Sequence, residues 1–176
     1  MTVFTIGHST RDVGAFIALL QGAGVDGVAD VRRFPFSRRY PHFNGEALAG
    51  SLAAAGIGYR HFPALGGRRG PARDGESRHT LWRVPAFRNY SDYAETPEFR
   101  AAFAALQRLA GERTVAVMCA EAVWWRCHRR IIADYLIAAG CSVDHILDGK
   151  IEAAVLTPEA SPQPDGSILY RTPSLL

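Results

Sequence analysis

Short apolar runs alternate with amphipathic stretches along most of the chain. Val3-Phe4-Thr5-Ile6-Gly7 is a β-rich run that stops at Gly7-His8-Ser9-Thr10, and Val13, Phe16, Ile17, Leu19 and Leu20 then recur at helical spacing before Gly22 and Gly24. A second strand, Gly27-Val28-Ala29-Asp30-Val31, begins soon afterwards, so residues 1–31 predict a βαβ unit with parallel strands and a right-handed crossover. Residues 45–55, small and Leu-rich and closed by Gly56, predict the next helix, and residues 57–62 a third strand. Pro97 opens a helix with Phe99, Phe103, Leu106 and Leu109 on one face. Thr114-Val115-Ala116-Val117-Met118 has the continuous apolar character of a buried strand. A helix over about residues 125–139 follows, with Ile131, Ile132, Tyr135 and Leu136 inward, and then a fifth strand over residues 142–147.

Strands alternating with helices predict an α/β fold: a three-layer, mainly parallel Rossmann-like sheet of about five strands with flanking helices. Residues 1–157 are expected to form a single α/β domain. The Pro-containing tail, residues 158–176, is expected to pack on it with at most one short strand at Ile168-Leu169-Tyr170. Residues 66–92 hold no sustained period and read as a long Arg-rich loop, the kind that commonly serves binding. A strand order of 3-2-1-4-5 is taken as a working assumption; it sets strand one beside strand four.

Charge sharpens this picture. The net charge is +3, but residues 32–88 carry eleven Arg against three acidic residues, and nineteen of the twenty basic residues are Arg. The planar guanidinium grips phosphate or carboxylate through two parallel hydrogen bonds, so the middle third reads as an anion-facing surface. Solvated arginines in an Arg-rich composition are the plainer alternative. No run of about 18 apolar residues is present, and the start lacks the basic and apolar segments of a secretory signal, so the expectation is a cytoplasmic protein without membrane association. Cys119, Cys127 and Cys141 lack the short paired spacings of structural zinc sites, and reduced thiols are expected.

In open parallel sheets ligands bind beyond the carboxyl ends of the strands, and the unusual residues cluster there. His8 and Ser9 follow strand one, Asp30 and Arg32 strand two, Gly66 and Gly67 strand three, and Cys119 and Glu121 strand four. His8, Asp30, Cys119 and Glu121 are the candidate catalytic residues. Ser9, Arg32, Ser37, Arg38, Gly66, Gly67, Cys127, His128 and Arg129 are the candidate ligand-binding residues. A phosphatase-type loop at Cys119 is disfavoured, because six residues separate it from Arg126 where that loop has five. Cys119, Glu121, Cys127, His128, His8 and His145 are competent metal ligands, but no pair has a diagnostic spacing, and a bound metal ion is not the favoured reading; the cofactor is unknown. Glu121 reads equally as a general base or as part of an ion pair with Arg32, Arg126 or Arg129. Tyr40, Phe43, Trp82, Tyr90 and Tyr93 interleave the Arg-rich stretch, as stacked bases or ordinary packing would require.

Taken in order, Gly7-His8-Ser9, Asp30-Val31-Arg32, Pro35-x-Ser37-Arg38, Phe43, Tyr59, Leu65-Gly66-Gly67, Cys119-Ala120-Glu121 and Cys127-His128-Arg129 resemble the domain of unknown function 488 family, over roughly residues 3–150. The resemblance implies a small α/β domain without an established reaction, some of whose members carry DNA-repair labels. Ala122-Val123-Trp124-Trp125-Arg126 is bulkier and more apolar than the resemblance leads one to expect.

The leading expectation is a phosphate-bearing partner, nucleic acid or nucleotide, with hydrolytic or repair chemistry as its enzymatic form. A non-catalytic module for small anions and a metal- or thiol-dependent enzyme are the competing readings.

Overall fold

The computed structural model describes residues 1–73 and 75–173. Strands β1 (Thr2–Gly7), β2 (Gly27–Asp30), β3 (Gly58–His61), β4 (Val115–Cys119), β5 (Ser142–Leu147) and β6 (Lys150–Ala153) form one sheet in the order β3-β2-β4-β1-β5-β6. The first five are parallel, and β6 is antiparallel to β5. Five helices flank them: α1 (Val13–Gly22), α2 (Gly45–Ala54), α3 (Pro85–Tyr93), α4 (Pro97–Glu112) and α5 (Arg129–Ala138). The fold is therefore α/β and Rossmann-like. Among the described residues no helix is long and apolar enough to cross a membrane.

Alternation along the strands splits the core in two. Ile6, Val28, Ala116, Met118 and Ile146 meet Phe16 and Leu20 of α1 and Leu48 and Leu52 of α2 on one face. Val3, Ala29, Val115, Val117 and Val143 meet Tyr90, Phe99, Leu106, Ile131 and Ile132 of α3, α4 and α5 on the other.

Four local expectations need correction. The assumed order 3-2-1-4-5 is replaced: β4, not β1, lies beside β2, although β1 and β4 are still neighbours, with Gly7 opposite Cys119. A sixth strand extends the sheet through a hairpin at Asp148-Gly149, a strong two-residue turn signal. The stretch 66–92 holds all but the last residue of α3, with Pro85 in its first turn and Tyr90 buried beneath it. Helix α5 starts at Arg129 rather than near residue 125, because Trp124–Arg126 make a 3₁₀ turn and Cys127 is extended at φ −122° and ψ 150°.

The later residues form a two-stranded hairpin, β7 (Ala160–Pro162) and β8 (Ile168–Tyr170), where one short strand was expected. It buries Ile168 and Tyr170 on the α5 side, and the Tyr170 hydroxyl donates to Asp134 Oδ2 at 2.9 Å. The Leu81 amide donates to the Tyr170 carbonyl at 3.2 Å, and Trp82 Nε1 donates to Ser91 Oγ at 2.8 Å. The 66–92 stretch is thus tied down at Leu81 and Trp82.

One close approach controls the carboxyl edge. A Cβ on Gly7 would sit 1.8 Å from the Glu121 carbonyl oxygen, so only glycine lets β1 end against the turn that follows β4. Gly7→Ala is expected to lower stability by about 3 kcal/mol or more in urea unfolding. Gly50→Ala, inside α2 with nothing within 4 Å of the added methyl, is expected to raise it by about 0.5–1 kcal/mol. Equal effects would show that the Gly7 contact relaxes freely.

Candidate functional site

Strand β4 has β1 on one side and β2 on the other, and the chain leaves it towards α5 while β1 and β2 feed α1 and α2 on the opposite face. Connections that diverge in this way open a crevice at the carboxyl edge. A cleft of about 680 Å³ lies there. Two polar clusters meet beneath it, one from each face of the sheet.

On the α1–α2 face, Asp30 is fully buried and bound by Arg32 through two hydrogen bonds, Nε to Oδ1 at 2.9 Å and Nη2 to Oδ2 at 2.6 Å. The Tyr59 hydroxyl donates to the same carboxylate at 2.7 Å, and the Arg32 amide at 3.1 Å. With four donors on two oxygens, Asp30 is an anchor for Arg32. Arg32 Nη2 also donates to the Phe43 carbonyl, and Nη1 lies 3.3 Å from His8 Nε2.

The hydrogen bonds assign the His8 tautomer. Nδ1 faces the Ser9 carbonyl at 2.9 Å and must donate, which leaves the Nε2 lone pair to accept from Arg32. Ser9 holds a left-handed backbone, φ +51°, as it turns between these contacts. Phe43 stacks on the imidazole with centroids 4.2 Å apart. Burial, with the Arg32 charge beside it, lowers the His8 pKa from 6.5 to about 4 against the opposing bond to Ser9.

On the other face, Arg129 is 1% exposed, and among the described residues no carboxylate forms an ion pair with it. Its Nε donates to Cys119 Sγ at 3.0 Å, its Nη2 to the Glu121 carbonyl, and its Nη1 to Thr5 Oγ1 at 3.4 Å. Cys119 and Cys127 bring their sulfurs to 2.8 Å. The extended backbone at Cys127 turns that side chain back toward β4. His128 Nε2 donates to the Val31 carbonyl at 3.1 Å, and its Nδ1 lies 3.4 Å from Cys127 Sγ.

This arrangement divides the thiols. Burial, then the contact with Cys127, pushes Cys119 well above the ordinary thiol range. Burial also opposes charge on Cys127, but the hydrogen bond from Cys119, His128 and the Arg129 charge outweigh it and pull Cys127 well below that range. The opposed shifts favour placing any negative charge of the pair on Cys127, close to the Arg129 charge. Thr5 extends the network: its oxygen accepts from Arg129 and its hydroxyl donates to His145 Nδ1 at 2.7 Å. Trp124 lies flat on the His145 ring, 4.4 Å away at 10°. The bulky segment after Glu121 thus seals that histidine.

Of the residues singled out from sequence, His8, Ser9, Arg32, Ser37, Gly67, Cys119, Glu121, Cys127 and His128 line the cleft. Asp30 and Arg129 lie behind it as anchors, and Arg38 is exposed away from it. Gly66 and Gly67 allow close packing: a Cβ would meet the Arg33 backbone at 2.6 Å and the His128 ring at 2.9 Å, respectively. Ser37 Oγ accepts from the Tyr40 amide and shapes the turn. The Glu121 carboxylate is exposed and forms no ion pair among the described residues. Phe43, Trp82 and Tyr90 are core residues.

Sequence reasoning passed over Arg33, Phe34, Phe36 and Arg68, which line the mouth together with Arg126. Phe34 and Phe36 are 65% and 64% exposed. Their signal was Phe-Pro-Phe beside two Arg pairs, apolar residues belonging to no helical or strand period.

A family model, domain of unknown function DUF488, matches residues 12–136. The chain belongs to the DUF488 family. No curated protein and no solved structure matches it. The DUF488 match is narrower than the span of the resemblance; it takes in Asp30, Arg32, Cys119, Glu121 and Cys127-His128-Arg129, and leaves His8 and His145 outside.

The neutral histidines give the fold a signed pH response. His145, like His8, is lowered from 6.5 to about 4, by burial first and by Arg129 second. Between those values the unfolded chain binds more protons, so stability is fully present above pH 6.5, falls as the pH drops, and levels below about 4. In urea melts each ring is expected to contribute a slope of about 1 kcal/mol per pH unit in that window. His145→Asn, which keeps an acceptor for Thr5, is expected to flatten the slope; an unchanged slope would mean that His145 is not held neutral.

Proposed function

We propose that the cleft binds a flat, phosphate-bearing ligand, a nucleotide or a nucleotide unit of a nucleic acid strand. The observation that carries this reading is the mouth. Two exposed phenylalanines stand among Arg33, Arg68 and Arg126, and these guanidinium groups have no carboxylate partner among the described residues. Aromatic faces accept a base, and unpaired guanidinium groups accept a phosphate, so the two together suit one ligand better than either suits a small inorganic anion. The volume falls in the range of sites for small organic ligands.

Below the mouth the geometry favours binding over hydrolysis by the residues first expected to do it. Asp30 is saturated by Arg32 and Tyr59, and the His8 Nε2 lone pair faces Arg32, so neither is placed to take a proton from water. A hydrolytic form of this reading rests on Glu121, the acidic residue on the cleft wall.

Nucleoside monophosphates are expected to raise the melting temperature, and Arg68→Ala or Phe36→Ala to weaken binding about tenfold in calorimetric titration, the effect of one charge-assisted contact or one stacked base. A short single-stranded oligonucleotide distinguishes the two sources of the ligand. Binding that weakens steeply with salt identifies a strand, whereas binding of mononucleotides alone identifies a small-molecule site. No response to either at low salt would overturn the reading.

A further inference from the structure

The mouth of the cleft does not use its floor. Cys119 and Cys127 both reach the cleft, 3% and 6% exposed, and their sulfurs lie 2.8 Å apart. Structural cysteines in a core are commonly neutral and inert, with apolar neighbours. These two instead adjoin Arg129, whose buried guanidinium donates through Nε to Cys119 at 3.0 Å and whose backbone amide donates to Cys127 at 3.5 Å. Such a setting stabilises a thiolate with a second sulfur in contact. Cys141, by contrast, lies beside the start of β5, with no sulfur or guanidinium bonded to it among the described residues.

We infer that Cys119 and Cys127 form a two-electron redox couple whose oxidant is hydrogen peroxide or a small organic hydroperoxide. The oxidant class follows from access: sulfurs this deeply set admit a molecule with two small oxygen atoms more readily than the bulky disulfide of a thiol metabolite. In the first step the thiolate of Cys127, the less buried of the two residues, attacks one peroxide oxygen. An S–O bond forms, the O–O bond breaks, and the departing oxygen takes up a proton to leave as water or an alcohol. In the second step Cys119 gives up its proton and attacks the Cys127 sulfur. The S–S bond forms, the S–O bond breaks, and hydroxide leaves to be protonated as water. The thiolate and thiol together lose two electrons and one proton, the peroxide gains them with a second proton from solvent, and an added dithiol reductant returns the pair to its starting state.

The test uses the whole chain and needs no nucleotide, so a cleft that ignores nucleotides and a cysteine pair that ignores peroxide are separate failures. Reduced protein is treated with stoichiometric hydrogen peroxide, quenched by alkylation and digested. The expected product is a Cys119–Cys127 cross-linked peptide, with loss of two hydrogens from the intact mass, reversal by dithiothreitol and Cys141 still alkylated. The pair is expected to react at least about tenfold faster than Cys141. Cys141→Ser should leave the reaction unchanged, and Cys119→Ser should stop it at an oxygenated Cys127. Alkylation of Cys119 and Cys127 after peroxide as complete as before it would overturn the proposal. So would oxygen addition to wild-type Cys127 without a cross-link.

Discussion

A guanidinium sealed under the carboxyl edge of the sheet, with no carboxylate beside it, sets the terms for the residues around it. Leaving such a charge uncompensated costs several kcal/mol, so its partners must all be in place when the fold closes. Arg129 is satisfied by a sulfur, a hydroxyl and carbonyl oxygens from the turn after β4. Each of those partners constrains something further. The Glu121 carbonyl can face Arg129 only because β1 ends in a glycine beneath it. Cys127 must be extended for its sulfur to join Cys119, which delays α5 until Arg129 itself. Thr5 must present its oxygen to Arg129, which orients its proton to His145, a ring that burial and the Arg129 charge hold neutral.

The second cluster, Asp30 with Arg32 and Tyr59, solves the same problem conventionally, with a carboxylate fully shared among its donors. The two solutions lie on opposite faces of the sheet and approach one another where β2, β4 and β1 end. The difference between them matters chemically. A carboxylate held by Arg and Tyr is inert at neutral pH, whereas a thiolate held by Arg keeps a reactive lone pair. The cleft therefore has a rigid side at His8 and Arg32 and, in the redox reading proposed above, a nucleophilic side at the cysteines.

Much of the fold was legible because side-chain period reports burial directly. The βαβ opening, the buried run at Val115–Cys119 and the amphipathic α4 follow from it. Strand order was not legible, because no period records which strand lies between two others; β4 inserts between β1 and β2 without a mark in any one segment. Helix α3 was hidden by its Arg- and Gly-rich approach, although Pro85 and the spacing of Phe87 and Tyr90 were visible. For the site, residue types and their place at strand ends were readable, but roles were not. Asp30 reads as a catalytic residue until Tyr59 and Arg32 are seen to occupy it, and Gly66-Gly67 reads as a ligand-binding turn until Arg33 and His128 are found against it. Roles depend on contacts between segments far apart in the chain, and those contacts are what the order of strands decides.

The β7–β8 hairpin carries a consequence for how the protein is made. Tyr170 supplies the carbonyl that receives the Leu81 amide, and its ring packs on Trp82, while α3, which follows that segment, lines one wall of the cleft with Phe87 and Tyr90. On the ribosome, the sheet through β4 can assemble while that wall still lacks its fastening. The cleft reaches its final shape only after Tyr170 has emerged from the exit tunnel, so this wall is fastened later in synthesis than the sheet beside it.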